Sequence, residues 1–413
     1  MTALKGNLLF GQSGGPTSVI NASAAGVFLE ALDHPDLIPR VLGMRHGIEG
    51  VLKDELFDIS QEDRSELELL CGTPSSILGT CRYKLADPDQ DDRDFKKILE
   101  VFRRHDIRYF FYNGGNDSMD TCLKVSSYLA SQDYPCRVIG IPKTIDNDLV
   151  GTDHCPGFGS AARYVATSIA EVWQDTHSYN TPMAVVFEIM GRHAGWLAAA
   201  SALAGLIGCG PDLIYLPEVP FDPDQMLADT RRVLEEKNIA LIAISEGIMT
   251  ADGRLLVEQL SDRATDSFGH KQLGGTAALL AHDLGRKLNI KVRGIEFSLL
   301  QRSAAHLASG TDIEEAFMAG RAGVKAALEG VSGVMMGFAR PQEGPYKCEI
   351  IQVPLDQVAN HEKSLPLEWI NEAGNGVTQA FIDYALPLIQ GESSQVHEEG
   401  LPRFARLKKI RVD

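Results

Sequence analysis

None of the seven cysteines (71, 81, 122, 136, 155, 209, 348) is spaced as CxxC from another, and their number is odd. They read as reduced thiols of a cytoplasmic protein rather than as a disulfide framework. The eleven histidines form no HExxH or other zinc spacing, which argues against a protein-held zinc ion. Long apolar runs are also missing. The most membrane-like stretch, Gly195 to Gly210, is too short to span a bilayer and reads as a buried helix. The first residues, Met1-Thr-Ala-Leu-Lys-Gly6, carry no apolar core of a secretion signal. Positive charge is scarce: 39 Lys and Arg against 56 Asp and Glu leave a net charge of −17. This balance argues against nucleic-acid or anionic-membrane binding. No internal repeat or low-complexity tract is evident. An acidic chain that binds phosphates must gather its cations locally, so clustered arginines and lysines are informative.

What is present is a soluble, globular composition, 44% hydrophobic and 23% charged, in a chain of 413 residues. That length exceeds one ordinary core and implies two domains. Strands alternate with helices, the pattern of an α/β protein with largely parallel sheets and ligand crevices at their carboxyl ends. The central stretch is Ile141-Pro-Lys143-Thr144-Ile-Asp146-Asn-Asp148. A buried strand, Arg137–Ile141, precedes it, and Pro142 ends that strand because it has no N–H to donate. A lysine, a hydroxyl and two carboxylates then crowd together without helix or strand period. In an extended segment Asp146 and Asp148 would face the same side. Two readings fit this chemistry: a catalytic crevice with a base and a metal ligand, or an Asx-rich turn capping the next element.

Two glycine-rich turns share that setting. Strand Asn7–Phe10 leads into Gly11-Gln-Ser-Gly14-Gly15-Pro-Thr-Ser18, and a helix is expected from Ser18 to Leu32 with Ser18 as its cap. Helix 94–105 and strand Arg108–Tyr112 lead into Gly114-Gly-Asn116-Asp117-Ser118 and another helix. Free N–H groups and the helix dipole at such turns favour anions. A small-residue loop from Gly72 ends in Arg82 and Lys84. Farther on come Met190-Gly191-Arg192 after an apolar strand, Glu246 after strand Ile239–Ile244, and Arg293 and Arg302 around Leu299. His154 is expected to be packed or capping. The basic end, Leu401–Arg411, reads as a solvated tail or a docking strand.

The motif Pro142-Lys-Thr-Ile-Asp-Asn-Asp148, with the others in order over roughly residues 6 to 340, closely resembles the phosphofructokinase family. Its ATP-dependent members usually carry glycine where Lys143 stands, and GGDGS where this chain has GGNDS. Lys143 together with Asp117 resembles the pyrophosphate-dependent branch, since Asp117 sets a carboxylate where the α-phosphate of ATP would lie.

The resemblance implies two Rossmann-like three-layer α/β domains around a central cleft. Residues 1–157 with about 295–340 would form the donor domain, 158–294 the fructose 6-phosphate domain, and 341–413 an extension packed on the core. It implies Gly14, Gly15, Asp117, Ser118 and Lys143 at the donor, and Arg82 bridging the transferred group. Asp146 would be the base, with Asp146, Lys143, Arg82 and Asp117 carrying the catalysis. Thr144, Asp146, Met190, Gly191, Arg192, Glu246, Arg293 and Arg302 would hold fructose 6-phosphate, and Asn116 and Asp148 would hold Mg2+. Asn116 replaces the family's aspartate and is a weaker ligand; Met183 stands where many members carry a basic residue for a neighbouring subunit. The activity implied is reversible transfer from pyrophosphate to fructose 6-phosphate by a cytoplasmic homodimer or homotetramer. Use of ATP, action on sedoheptulose 7-phosphate and a silent regulatory subunit are the alternatives.

Overall fold

The computed structural model describes residues 4–256, 275–341, 344–393 and 395–412. Its strands, in chain order, are β1 (Asn7–Gln12), β2 (Val41–Met44), β3 (Leu56–Asp58), β4 (Ile107–Gly114), β5 (Arg137–Pro142), β6 (Met183–Ile189), β7 (Leu213–Tyr215), β8 (Ile239–Ser245), β9 (Lys291–Glu296), β10 (Val334–Ala339) and β11 (Glu349–Pro354). Seven of them form one sheet in the order β11-β10-β5-β4-β1-β2-β3, and four form a second in the order β7-β8-β6-β9. Within these two sheets all pairings are parallel except β3 on β2 and β11 on β10, and a separate short antiparallel pair joins His397–Glu398 to Leu401–Pro402. The central strands are buried on both faces and read as near-continuous apolar runs, as parallel sheets covered by helices require.

Helices cover the larger sheet, and two of them show how closely. Helix Ile20–Leu32 packs along helix Gly310–Leu328. A Cβ on Gly26 would strike the Phe317 carbonyl and one on Gly320 the Ser23 carbonyl, so only glycine permits this approach. Helix Gly310–Leu328 is capped by Ser309. Its Asp312 carboxylate accepts from Gly157 N and Ser160 N, both at 2.9 Å, and so caps helix Phe158–Thr176 from outside.

The structure corrects the sequence expectations for the first helix, for Gly195–Gly210 and for Asp146–Asp148, and bears out a docked C-terminal end and a packed His154. The first helix starts at Ile20 with Val19 at its N-cap and no side-chain cap, so Ser18 does not cap it. Gly195–Gly210 is not one buried helix. It is a short turn of helix, Trp196–Ala199, then a 3-10 segment, Ala200–Ile207, whose end exposes Leu206 and Ile207. Asp146–Asp148 is not extended, because Asn147 adopts a left-handed φ of 56°. The basic end is a docked segment: Phe57 and Arg411 pair in antiparallel fashion at the β3 edge, and Lys408 N donates to Glu62. His154 is buried between Asp153 and Glu315 and stacks on Phe338. No helix among the described residues is long and apolar enough to cross a membrane.

Candidate active site

Strands β5, β4 and β1 are neighbours, and the loops leaving their carboxyl ends carry the charged and glycine-rich motifs. The geometry follows from the sheet, since adjacent parallel strands deliver their following loops side by side. Gly14 has φ of 75°, and its N–H donates to the Cys81 carbonyl at 3.1 Å. Thr80 Oγ1 donates to the Gly14 carbonyl at 2.7 Å, so the Arg82 loop lies directly on the glycine turn. From β5, Lys143 N donates to the Gly114 carbonyl, and the buried Lys143 Nζ donates to the Gly15 carbonyl at 2.7 Å. A Cβ on Gly15 would come within 2.6 Å of Arg302 Nη1, so this glycine lets a cation from the other side of the cleft approach the loop.

The second sheet supplies the opposite wall through the ends of β8, β6 and β9, again neighbours. Gly191 N donates to Glu246 Oε1 at 3.4 Å, and Met190 N to Gln301 Oε1 at 3.2 Å. Met190, Arg192, Glu246 and Arg302 are all half-buried here. The electrostatics show that the walls meet. Burial raises Asp146, while Lys143, Arg192, His193 and Arg302 pull it back down. Burial, with the charge of Asp146, pushes Asp148 up to about 7; Thr144, hydrogen-bonded to it, opposes this. Burial and Asp146 likewise raise Glu246 to about 7. Burial lowers Lys143 to about 8; the Asp146 carboxylate opposes that fall and the Arg302 guanidinium adds to it. Arg302 is itself lowered by burial and by Arg82. Thr144 Oγ1 also accepts from Asp146 N at 3.1 Å, tying the hydroxyl to the carboxylate backbone.

Five further residues singled out from the sequence have these surroundings. Ser118 is buried at the start of helix Asn116–Ser131, with its hydroxyl packed against Gly114. Asp117 is exposed and pairs with Lys84 at 3.5 Å. Asn116 spends both ends of its amide on the chain at 360–361. Arg293 lies on the edge strand β9 opposite Val185, well before the carboxyl end of β6, and pairs with Asp175 at 3.3 Å. Met183 is a core residue, 2% exposed.

Sequence reasoning missed the segment 360–363, which borders Asn116 and Asp148 from the C-terminal part of the chain. No motif marks it. Gln301 was missed as well, although it directly precedes Arg302.

The comparisons agree with this geometry. The family model described as Phosphofructokinase matches residues 7–295. A curated relative from Xanthomonas campestris, pyrophosphate--fructose 6-phosphate 1-phosphotransferase, is 46% identical over 98% of this chain and 97% of its own. One of the same name from Methylococcus capsulatus is 44% identical over 98% and 97%. The crystal structure of a pyrophosphate-dependent phosphofructokinase from Nitrosospira multiformis superposes with a TM-score of 0.90 at 40% identity, covering 98% of each chain. Fold, motif order and cleft chemistry therefore converge: this chain belongs to the phosphofructokinase family.

Proposed function

We propose that this protein transfers a phosphoryl group, reversibly, from pyrophosphate to the 1-hydroxyl of fructose 6-phosphate, giving fructose 1,6-bisphosphate and phosphate. The observation that carries it is the buried Lys143 ammonium fixed on the Gly15 carbonyl, a cation held inside the phosphate cradle. Asp117 at the first turn of the neighbouring helix opposes a longer, more anionic donor by bulk and like charge. The names of the relatives support the same pair of substrates.

Asp146 takes the hydroxyl proton as the sugar oxygen attacks. Its raised pKa brings its basicity closer to that of the working pH, which favours proton transfer. Lys143, Arg82 and Arg302 converge where charge spreads over the transferring group, and fixed cations in a cleft stabilise it without reorganising. Arg192 and Glu246 orient the sugar from the second wall.

Magnesium belongs to this reading. Asp148 and Asp117 offer hard carboxylate oxygens and the diphosphate supplies more, a set that suits the ion. Its chemistry would be to neutralise the diphosphate. Asn116 suits it poorly, because its amide oxygen already accepts from Asn360 N at 2.6 Å.

A homo-oligomer is also part of the proposal. Among the described residues β9 is an edge strand, and Arg293 on it pairs with Asp175 well before the carboxyl end of β6, a place from which it could serve a second copy. The unpaired cysteines favour the cytoplasm as the place of reaction.

Initial rates with fructose 6-phosphate and magnesium, comparing pyrophosphate with ATP, test the proposal. Turnover with pyrophosphate alone is expected. Turnover with ATP alone would refute the roles of Lys143 and Asp117, and silence with both would favour a regulatory subunit.

A further inference from the structure

The segment 360–365 touches both walls of the cleft. On the donor side, Asn116 Nδ2 donates to the His361 carbonyl at 2.6 Å, and Asn116 Oδ1 accepts from Asn360 N at 2.6 Å. Asn360 Nδ2 donates to Asp120 Oδ1 at 3.0 Å, one turn along the same helix. Glu362 pairs with Leu149 as an antiparallel bridge, and Lys363 N donates to the Asp148 carbonyl at 2.7 Å. Lys363 Nζ donates to the Thr152 and Asp153 carbonyls at 3.0 and 2.8 Å. On the acceptor side, the Glu362 carboxylate meets His193 Nδ1 at 3.0 Å, next to Arg192. Trp196 Nε1 donates to the Lys363 carbonyl at 2.9 Å, and Leu365 N and Gly195 N share Glu218 Oε1.

We propose that Asn116 is a positioning residue, not a metal ligand: it anchors 360–365 as a clasp joining the Asp148 loop to His193 and Trp196. This rests on reading the cleft as the phosphoryl-transfer site. The chemistry requires an amide. The anchor needs one donor, for the His361 carbonyl, and one acceptor, for Asn360 N, on the same short side chain. An aspartate would present an oxygen to the His361 carbonyl, so the departure from the family's carboxylate has a physical cause. Through Lys363 the clasp fixes the backbone that carries Asp148; through Glu362 it fixes His193, whose imidazole acts electrostatically on Asp146. The two halves of the site are then held at one spacing, on which transfer depends steeply.

Asn116→Asp separates this role from metal ligation, because a carboxylate is the better magnesium ligand and the worse anchor. The expected result is a fall in kcat of roughly 10- to 100-fold, with no tighter Mn2+ binding by electron paramagnetic resonance in the presence of pyrophosphate. Hydrogen exchange, which reads the clasp without activity, should show lost protection across 360–365 and at 193–196. Glu362→Gln, at an exposed pair that the fold does not need, should also lower kcat, and the double variant should be no worse than Asn116→Asp alone. Asn116→Asp with undiminished kcat and tighter Mn2+ would overturn the inference. So would Glu362→Gln with wild-type kcat, or unchanged exchange at 360–365. Failure of the unmodified protein to use pyrophosphate would instead overturn the assigned reaction, and the exchange result would still decide the clasp.

Discussion

Asp146 and Lys143 stand three residues apart and hold opposite charges in the same buried place, each displaced toward neutrality by burial and pulled back by the other. Catalysis needs both ionised, so kcat/KM should be bell-shaped in pH. The basic limb should fall as pH rises through about 8, where Lys143 loses its proton, and the acid limb as the carboxylates protonate. Lys143→Arg, which keeps its charge, should remove the basic limb whatever it does to the rate. Asp146→Ala should cut turnover by roughly 10²–10⁴ while sugar binding, followed calorimetrically, stays intact. Near-normal turnover would remove Asp146 from the mechanism. The same burial costs stability. Asp148 and Glu246, both raised to about 7, bind protons more tightly folded than unfolded. Their contribution is therefore fully present below the ordinary carboxylate range and is lost as pH rises through about 7. Asp148→Asn or Glu246→Gln should raise the midpoint of thermal unfolding at pH 8, by a free energy of roughly 1–3 kcal/mol, and change little at pH 4. A midpoint that rises equally at both pH values would refute the electrostatic cause.

At the scale of elements, the site is built from loop endings of two triplets of adjacent parallel strands, β5-β4-β1 and β8-β6-β9. Those loops were legible in the sequence because glycine turns, proline and clustered charge mark where a strand must stop. Helix Arg93–Arg104 was legible too, since its buried Phe95, Ile98, Leu99 and Phe102 repeat at helical spacing. The C-terminal stretch was not, because its order comes from partners hundreds of residues away. Its last residues dock on the β3 edge: Asp58 N donates to the Ile410 carbonyl, Val412 N to the Leu56 carbonyl, and Arg403 pairs with Glu66. The docked segment covers part of an edge that would otherwise present unpaired backbone. Deleting residues 403–413 should lower stability by roughly 2–4 kcal/mol and increase aggregation on heating, measured by calorimetry and light scattering. An unchanged unfolding transition would show that the tail merely rests on the sheet.

For the molecule as a whole, donor choice should belong to a pair of residues rather than to the fold. Replacing Asp117 and Lys143 together by glycine should shift the ratio of kcat/KM for ATP over pyrophosphate by roughly tenfold or more. The acceptor KM should be spared; a ratio that does not move would place selectivity elsewhere. The sequence by itself determined the parallel α/β class, the motif order and the candidate residues at the strand ends, because these depend on local chemistry there. Only the tertiary structure decided that Asn116 faces the chain at 360–361, that Ser118 turns inward and that Arg293 lies off this chain's cleft. It likewise decided that a left-handed Asn147, rather than an extended alternation, sets Asp146 beside Asp148. A side chain's type is written in the sequence, but what it faces is set by long-range packing, which no local spacing encodes.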